Sequence, residues 1–267
     1  MNQSPFVNYP QFGFGNGAPR SIMGNLSADE AAAVNGLDIK QAIDDILYDT
    51  KYWQAGAAVP VSDVLFYSQQ INATDTVVNN GAISFVKNPS QTNMVQSAQL
   101  QRGEIFLAES MQVMVCIPGT LDFSLQATGN TTLPNATGTS ATADATHASV
   151  NLGALHNAIC KAGVVQLKVG TSGPLEGGPI YQFPSEFGAS GFNGLAQTGA
   201  AKTGDVVLND GVINNGYGFA RTFRTGWRRI EAGNNLQVKL NFYNPFTPGR
   251  NFDVQVILKG LRFRDIS

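Results

Sequence analysis

Two hydrophobic periods run along this chain, and each predicts a different element. From residue 60 onward, apolar residues come in short runs that often alternate with polar ones. Val165, Leu167 and Val169 stand two apart, as do Val238, Leu240 and Phe242. That spacing lines one face of a β-strand. Strands are expected at 61–67, 76–78, 82–86, 104–117, 121–126, 164–169, 180–183, 206–208, 217–224, 236–242 and 252–258. Asn79-Asn80-Gly81, Pro118-Gly119, Asn244-Pro245 and Pro248-Gly249 punctuate them as turns. Earlier in the chain the period is helical. Ser27 followed by Glu30 has the form of a capping box. Ile39, Ala42, Ile43, Ile46 and Leu47 make one apolar stripe. A helix is therefore expected over 27–54, broken near Asn35-Gly36, with Asp38 as a second cap. A short helix fits 150–161 through Leu152, Leu155 and Ile159.

Other stretches carry neither period. Residues 1–26 hold Pro5, Pro10 and Pro19, which block helix, and Gly13, Gly15 and Gly17. Phe6, Tyr9, Phe12 and Phe14 punctuate the same stretch. It reads either as a floppy terminus or as an extended arm whose aromatic pegs order on a neighbouring subunit. Residues 127–149 are rich in Thr, Ala, Asn and Gly and read as a long surface loop. Residues 170–178 and 185–203 are also expected as loops. Recurring strands with long excursions, and no internal repeat, describe an all-β sandwich with Greek-key connections. The expected organisation is an arm and helical segment at 1–59 and a β-sandwich at 60–267.

Composition sharpens this picture. Only 13% of the 267 residues are charged, about half the usual ~25%. Amides, hydroxyls and glycines replace the ions, and such a surface loses little hydration when it is buried against another copy. A secreted β protein with a polar surface is the alternative. The net charge of −2 argues against a chain that binds nucleic acid through its overall charge. Cys116 and Cys160 both sit in apolar runs and read as small buried hydrophobes, with one disulfide between them left open. The first twenty residues lack a basic region followed by an apolar stretch, and no run approaches a membrane span. The expectation is a chain made in the cytoplasm that stays soluble until it assembles.

Candidate chemistry is sparse. His147 and His156 have no carboxylate or thiol beside them at metal-ligand spacing, and no Gly-x-Ser-x-Gly elbow occurs. Glu104, Glu109, Asp122, Glu176 and Glu186 carry no signature of a glycosidase pair, and Gly177-Gly178 leads into no phosphate-binding helix. No catalytic residue, metal ligand or cofactor is expected, and the chain reads as a non-enzyme. The densest basic cluster is Arg221, Arg224, Arg228 and Arg229, interleaved with Phe223 and Trp227, and Arg262 and Arg264 flank Phe263 near the end. Arginine with aromatics suits protein interfaces, and it also suits phosphates and bases. The candidate contact residues are therefore Phe6, Tyr9, Phe12, Phe14, Arg221, Arg224, Trp227, Arg228, Arg229, Arg262 and Arg264, with Glu231, Asp253 and Asp265 as local counter-ions.

The C-terminal block runs Trp227-Arg228-Arg229-Ile230-Glu231-Ala232-Gly233-Asn234-Asn235-Leu236, then an alternating strand, a Pro-containing loop, a second alternating strand, Leu258-Lys259-Gly260-Leu261 and a basic end. This pattern resembles the closing strands of the jelly-roll coat proteins of icosahedral viruses, especially bacteriophages. Residues 99–117 and 179–191 have a similar character, as do the arm and helix. The resemblance implies an eight-stranded jelly-roll β-sandwich behind an N-terminal arm and helix, with a compact double jelly roll as the alternative fold. It also implies a capsid protein of the virion that assembles with itself into trimers or other capsomers and then a closed shell. Further implied partners are other virion proteins and either the genome or an internal membrane, with no small-molecule substrate. The alternative functions are a vertex, spike or tail component, or a carbohydrate-binding β-sandwich module.

Overall fold

The structure, a computed structural model, describes residues 37, 42–117, 152–171, 173–185, 192–197, 205–210, 220–223, 226–249 and 251–264. These residues are mostly antiparallel β-sheet, with one helix. The expected arm at 1–26, the capping box at Ser27, the strand at 121–126 and the loop at 127–149 lie outside them.

Two sheets make the body. In the first, β1 (Ile43–Trp53) pairs with β13 (Phe252–Arg264), and β13 pairs with β5 (Glu104–Cys116). A broken strand, β10 (Arg221–Thr222) and β11 (Arg228–Glu231), continues the sheet on the far side of β5. In the second sheet the order is β2 (Val64–Phe66), β12 (Leu236–Phe242), β6 (Gly163–Val169) and β7 (Glu176–Pro179). Two hairpins stand apart from these sheets: β3 (Thr74–Val77) with β4 (Asn80–Val86), and β8 (Phe192–Gln197) with β9 (Asp205–Asp210). Helix α1 (Leu152–Ala162) leads directly into β6.

The alternating sequences explain the layers. On β6 and β12 every second residue is buried, and the register sets Val165 opposite Leu240 and Leu167 opposite Val238. Phe106, Val113, Val115, Val254, Val256 and Leu258 supply the facing layer from β5 and β13. At one end Trp53 stacks on Phe252 at 4.9 Å and meets the edge of Phe242 at 5.8 Å, tying both sheets into one core. A bulge marks the middle of the first sheet. Lys259 faces Ser110 and Gly260 faces Ala108, which leaves Glu109 as the extra residue on β5. The carbonyl of Glu109 accepts from the Phe223 amide, and the pairing of β10 and β11 with β5 is interrupted there.

Several expectations change. Residues 43–53 form β1 and not the end of a helix. Leu47, Asp49, Lys51 and Trp53 share the inward face, and the two charged residues hide the strand period behind a helical-looking stripe. Ile43 and Ile46, two members of that stripe, are 56% and 40% exposed. The sandwich body therefore includes residues 43–59, and the expected boundary at 59/60 falls inside it. Residues 176–179 form β7 where a loop was expected, and Ile180–Gln182 is a 3-10 turn where a strand was expected. The glycines are there for close approach: a Cβ at Gly177 would lie 3.2 Å from the Val165 carbonyl. Within the expected loop 185–203, residues 192–197 pair as β8 with β9.

Gly260 generates a test of the bulge. A Cβ there would sit 1.9 Å from the Leu107 carbonyl oxygen and 2.8 Å from its carbon, both backbone atoms that cannot move aside cheaply. Gly260→Ala is expected to cost about 3 kcal/mol in urea unfolding, as overpacking does. Gly81→Ala, where nothing lies within 4 Å, is expected to stay within about 0.5 kcal/mol of the parent.

Candidate functional site

The arginines singled out by the sequence are drawn into internal pairs. β7 and β10 occupy corresponding ends of the two sheets, and a cluster of side chains laces them together. Glu176 of β7 receives Arg228 at 3.3 Å and Arg221 at 3.6 Å. Arg221 also donates to Gln182 at 2.7 Å and lies over the Phe183 ring, while Arg228 lies over Phe223. Stacking on aromatic faces while forking onto a carboxylate is what a planar guanidinium does well. This cluster closes one lateral side of the sandwich.

The other described arginines of that set follow suit. Arg229 donates to Glu231 at 2.8 Å, the local pairing anticipated from the sequence. Arg262 lies 2.6 Å from Asp45 and 3.6 Å from Glu104, and Arg264 lies 3.4 Å from the same Glu104 oxygen. Arg264 keeps a side chain 64% exposed. Five guanidiniums thus meet four carboxylates. Trp227 is buried with Leu107, Leu261 and Phe263, and Leu37, Ala42 and Ile105 pack against that group. Leu107 faces away from the main core, since Phe106 and Ala108 on either side of it face in. Phe6, Tyr9, Phe12, Phe14 and Arg224 lie outside the described residues, so the arrangement brings together Arg221 with Arg228 and Arg262 with Arg264.

The opposite lateral side holds a cluster that the sequence did not announce. β2 is three residues long against eleven for β1, so much of β1 extends beyond it. The β3–β4 hairpin and residues 87–94 cover this stretch. The Val78 amide bonds the Tyr52 carbonyl at 2.9 Å, and Tyr48 and Gln54 donate their amides to the side chains of Asn93 and Asn79. Behind this cover Asp49 and Lys51 point inward and meet Asp75 and Lys87. Lys51 pairs with Asp75 at 2.8 Å, Lys87 approaches Asp75 at 3.3 Å, and Lys87 contacts Asp49 directly. The side chains of Asp49 and Lys87 are wholly buried. Lys87 also donates to the Thr50 carbonyl at 2.7 Å, and the Tyr67 amide donates to Asp49 Oδ2 at 2.8 Å. Burial pushes the Asp49 carboxyl up, while Lys87, Lys51 and the Tyr67 amide pull it back part of the way. Tyr67 takes a left-handed backbone, φ 64°, and its hydroxyl donates toward the Leu47 and Val256 carbonyls across β1 and β13.

Two further groups deserve a chemical reading. On α1 the Cys160 sulfur lies 3.6 Å from His156 Nε2. Burial pushes the thiol up to about 12 and lowers the imidazole, so the two are a neutral thiol and a neutral ring. A nucleophilic pair needs the opposite shifts. Cys116 is half-buried and not fully buried as expected, and burial followed by the facing Asp253 raises its thiol. Neither cysteine takes part in a disulfide, so the pairing left open by the sequence is not formed here. Among the described residues no group of three or more His, Cys, Asp or Glu is arranged to hold a metal ion, and no helix is long and apolar enough to cross a membrane. No protein-family model, curated protein or solved structure matches this chain.

Two measurements follow from these pairs. Glu176→Gln leaves two guanidiniums facing each other without their shared anion and is expected to lower stability by about 1–2 kcal/mol in urea, with an unchanged denaturant slope. With both thiols held above the ordinary range, the native chain is expected to react slowly with Ellman's reagent at mildly alkaline pH, and unfolding should release both thiols to it at once.

Proposed function

We propose that this chain is the coat protein of an icosahedral virus, a jelly-roll sandwich that assembles with copies of itself into a shell around the genome. The observation that carries the reading is the nesting of the strand pairs. β1 pairs with β13, β2 with β12, β5 with β10 and β11, and β6 with β7, all antiparallel. Taken in order, these are the first strand with the last, the second with the next to last, and so inward. A long double ribbon has this pairing. Rolling it up brings β13 beside β5 and β12 beside β6, the two remaining contacts of the main sheets. Two sheets built from one rolled ribbon support a jelly roll, with the β3–β4 and β8–β9 hairpins as excursions from it.

The function rests on the surface as well as the fold. Few charges are available, and many of those described are paired internally. Exposed apolar residues remain at Ile43, Ile46, Val61, Val86, Val95, Tyr181 and Tyr243. A surface of this kind favours neutral contacts between copies, and a closed shell needs each contact to be only modest, because several act on every subunit. The paired arginines favour inter-subunit rims over genome or membrane contacts. In this reading the chain is made in the host cytoplasm, ends in the virion and carries no catalytic site.

Light-scattering mass measurement with negative-stain electron microscopy of the same fractions tests the proposal. Trimers, pentamers or shell-like particles are expected, and removal of residues 1–26 should shift the population toward smaller species. A monomer at high concentration, unmoved by salt or pH, would overturn it.

A further inference from the structure

We infer that Lys87 and Asp49 are joined by a self-formed amide cross-link that staples the end of the β3–β4 excursion to β1. The cluster holds each part such a reaction needs. An amine and a carboxyl group, both wholly buried, are in direct contact with no competing solvent. A second carboxylate, Asp75, lies 3.3 Å from the same Lys87 nitrogen and is steadied by Lys51 at 2.8 Å. A backbone donor, the Tyr67 amide, lies 2.8 Å from Asp49 Oδ2, the oxygen that Lys87 does not contact. The left-handed turn at Tyr67 aims it there.

The chemistry balances without any outside reagent. A proton passes from Lys87 Nζ to Asp49 Oδ1 within their contact, giving an amine and a carboxylic acid. Burial raises the Asp49 carboxyl and so favours its protonated form. The Nζ lone pair attacks Cγ, and the carbonyl electron pair moves onto Oδ2, where the Tyr67 amide stabilises it. Asp75 takes the proton left on Nζ and returns it to the Oδ1 hydroxyl. The Cγ–Oδ1 bond breaks, one water leaves, and Nζ and Cγ share an amide bond with no change of oxidation state. Holding the two groups together in a dry site supplies the proximity that makes an otherwise slow condensation feasible.

The product also suits the site better than the reactants. Four buried charges become two, because Asp75 keeps Lys51 while Lys87 and Asp49 become neutral. The new carbonyl accepts from the Tyr67 amide, and the new N–H donates to the Thr50 carbonyl, 2.7 Å from the lysine nitrogen. No polar atom of the amide is orphaned, whereas buried ions are costly even when paired.

Intact-mass spectrometry of the full chain, denatured after folding, tests this. The expected mass is that of the sequence less one water, and digestion should give a branched peptide joining the segments that contain residues 49 and 87. Asp75→Asn cannot shuttle the proton and should leave most of a folded chain, checked by circular dichroism, at full mass. A folded parent chain at full mass after long incubation would overturn the inference. So would a water loss confined to one linear peptide, the signature of an aspartyl succinimide.

Discussion

Eleven consecutive residue pairs join β1 to β13, the first and last described strands of the sandwich, and the rest of the fold is arranged inside that closure. Inside this closure β2 pairs with β12, β5 with β10 and β11, and β6 with β7. The same strand, β13, carries β5 on its other edge through a further long register. Nearly every decisive contact therefore joins residues far apart in sequence. Such topologies close large loops before they gain much energy, and they fold slowly. The closure also explains the intolerance expected at Gly260. It sits where β13 must pass against the β5 backbone at the bulge, and a side chain there would push apart the pair that holds the sheet together.

A two-sheet sandwich has two lateral sides where its sheets part, and this one closes them with charge. On the β7–β10 side, Glu176 bridges Arg221 and Arg228 between the sheets. On the β1–β2 side, Asp49, Lys51, Asp75 and Lys87 hold the β3–β4 excursion over a strand that the short β2 leaves largely uncovered. Apolar residues could fill the second place with less desolvation, and buried ion pairs are weak evidence of stability. Their geometry is directional, however, and it fixes which residues of the excursion meet which positions of β1. Main-chain and amide bonds from Val78, Asn79 and Asn93 then occupy the free edge of β1, which would otherwise be open to another strand.

How much of this was legible in the sequence depended on where polarity and apolarity agreed. β6, β12 and the first half of β13 were readable because their inward positions are mostly Val, Leu and Phe and their outward ones mostly Gln, Lys, Asn and Asp. β1 was not, since Asp49 and Lys51 point inward and break its period. β7 was hidden by Gly177 and Gly178, whose lack of side chains signals a loop locally but serves close packing against β6. The arginine cluster was visible by density, yet its counter-ion was not: Glu176 lies 52 residues from Arg228, and only the meeting of two sheet edges brings them together. Lys87 offered no local signal at all, since its burial depends on a strand 38 residues earlier.

The placement of charge bears on the proposed assembly. A chain this poor in ions has committed several of those it has to its own interior and seams. What faces outward is richer in amides, hydroxyls and isolated apolar side chains such as Ile43, Val95 and Tyr243. Contacts between such surfaces lose little hydration and respond weakly to salt, because few exposed ions are there to be screened. They also carry little long-range steering, so encounter would be unselective and fit would decide which faces stay together. That division would suit the proposed shell, in which specificity comes from shape and symmetry: charge fixes the form of each protomer, and a neutral surface leaves fit to decide how identical copies meet.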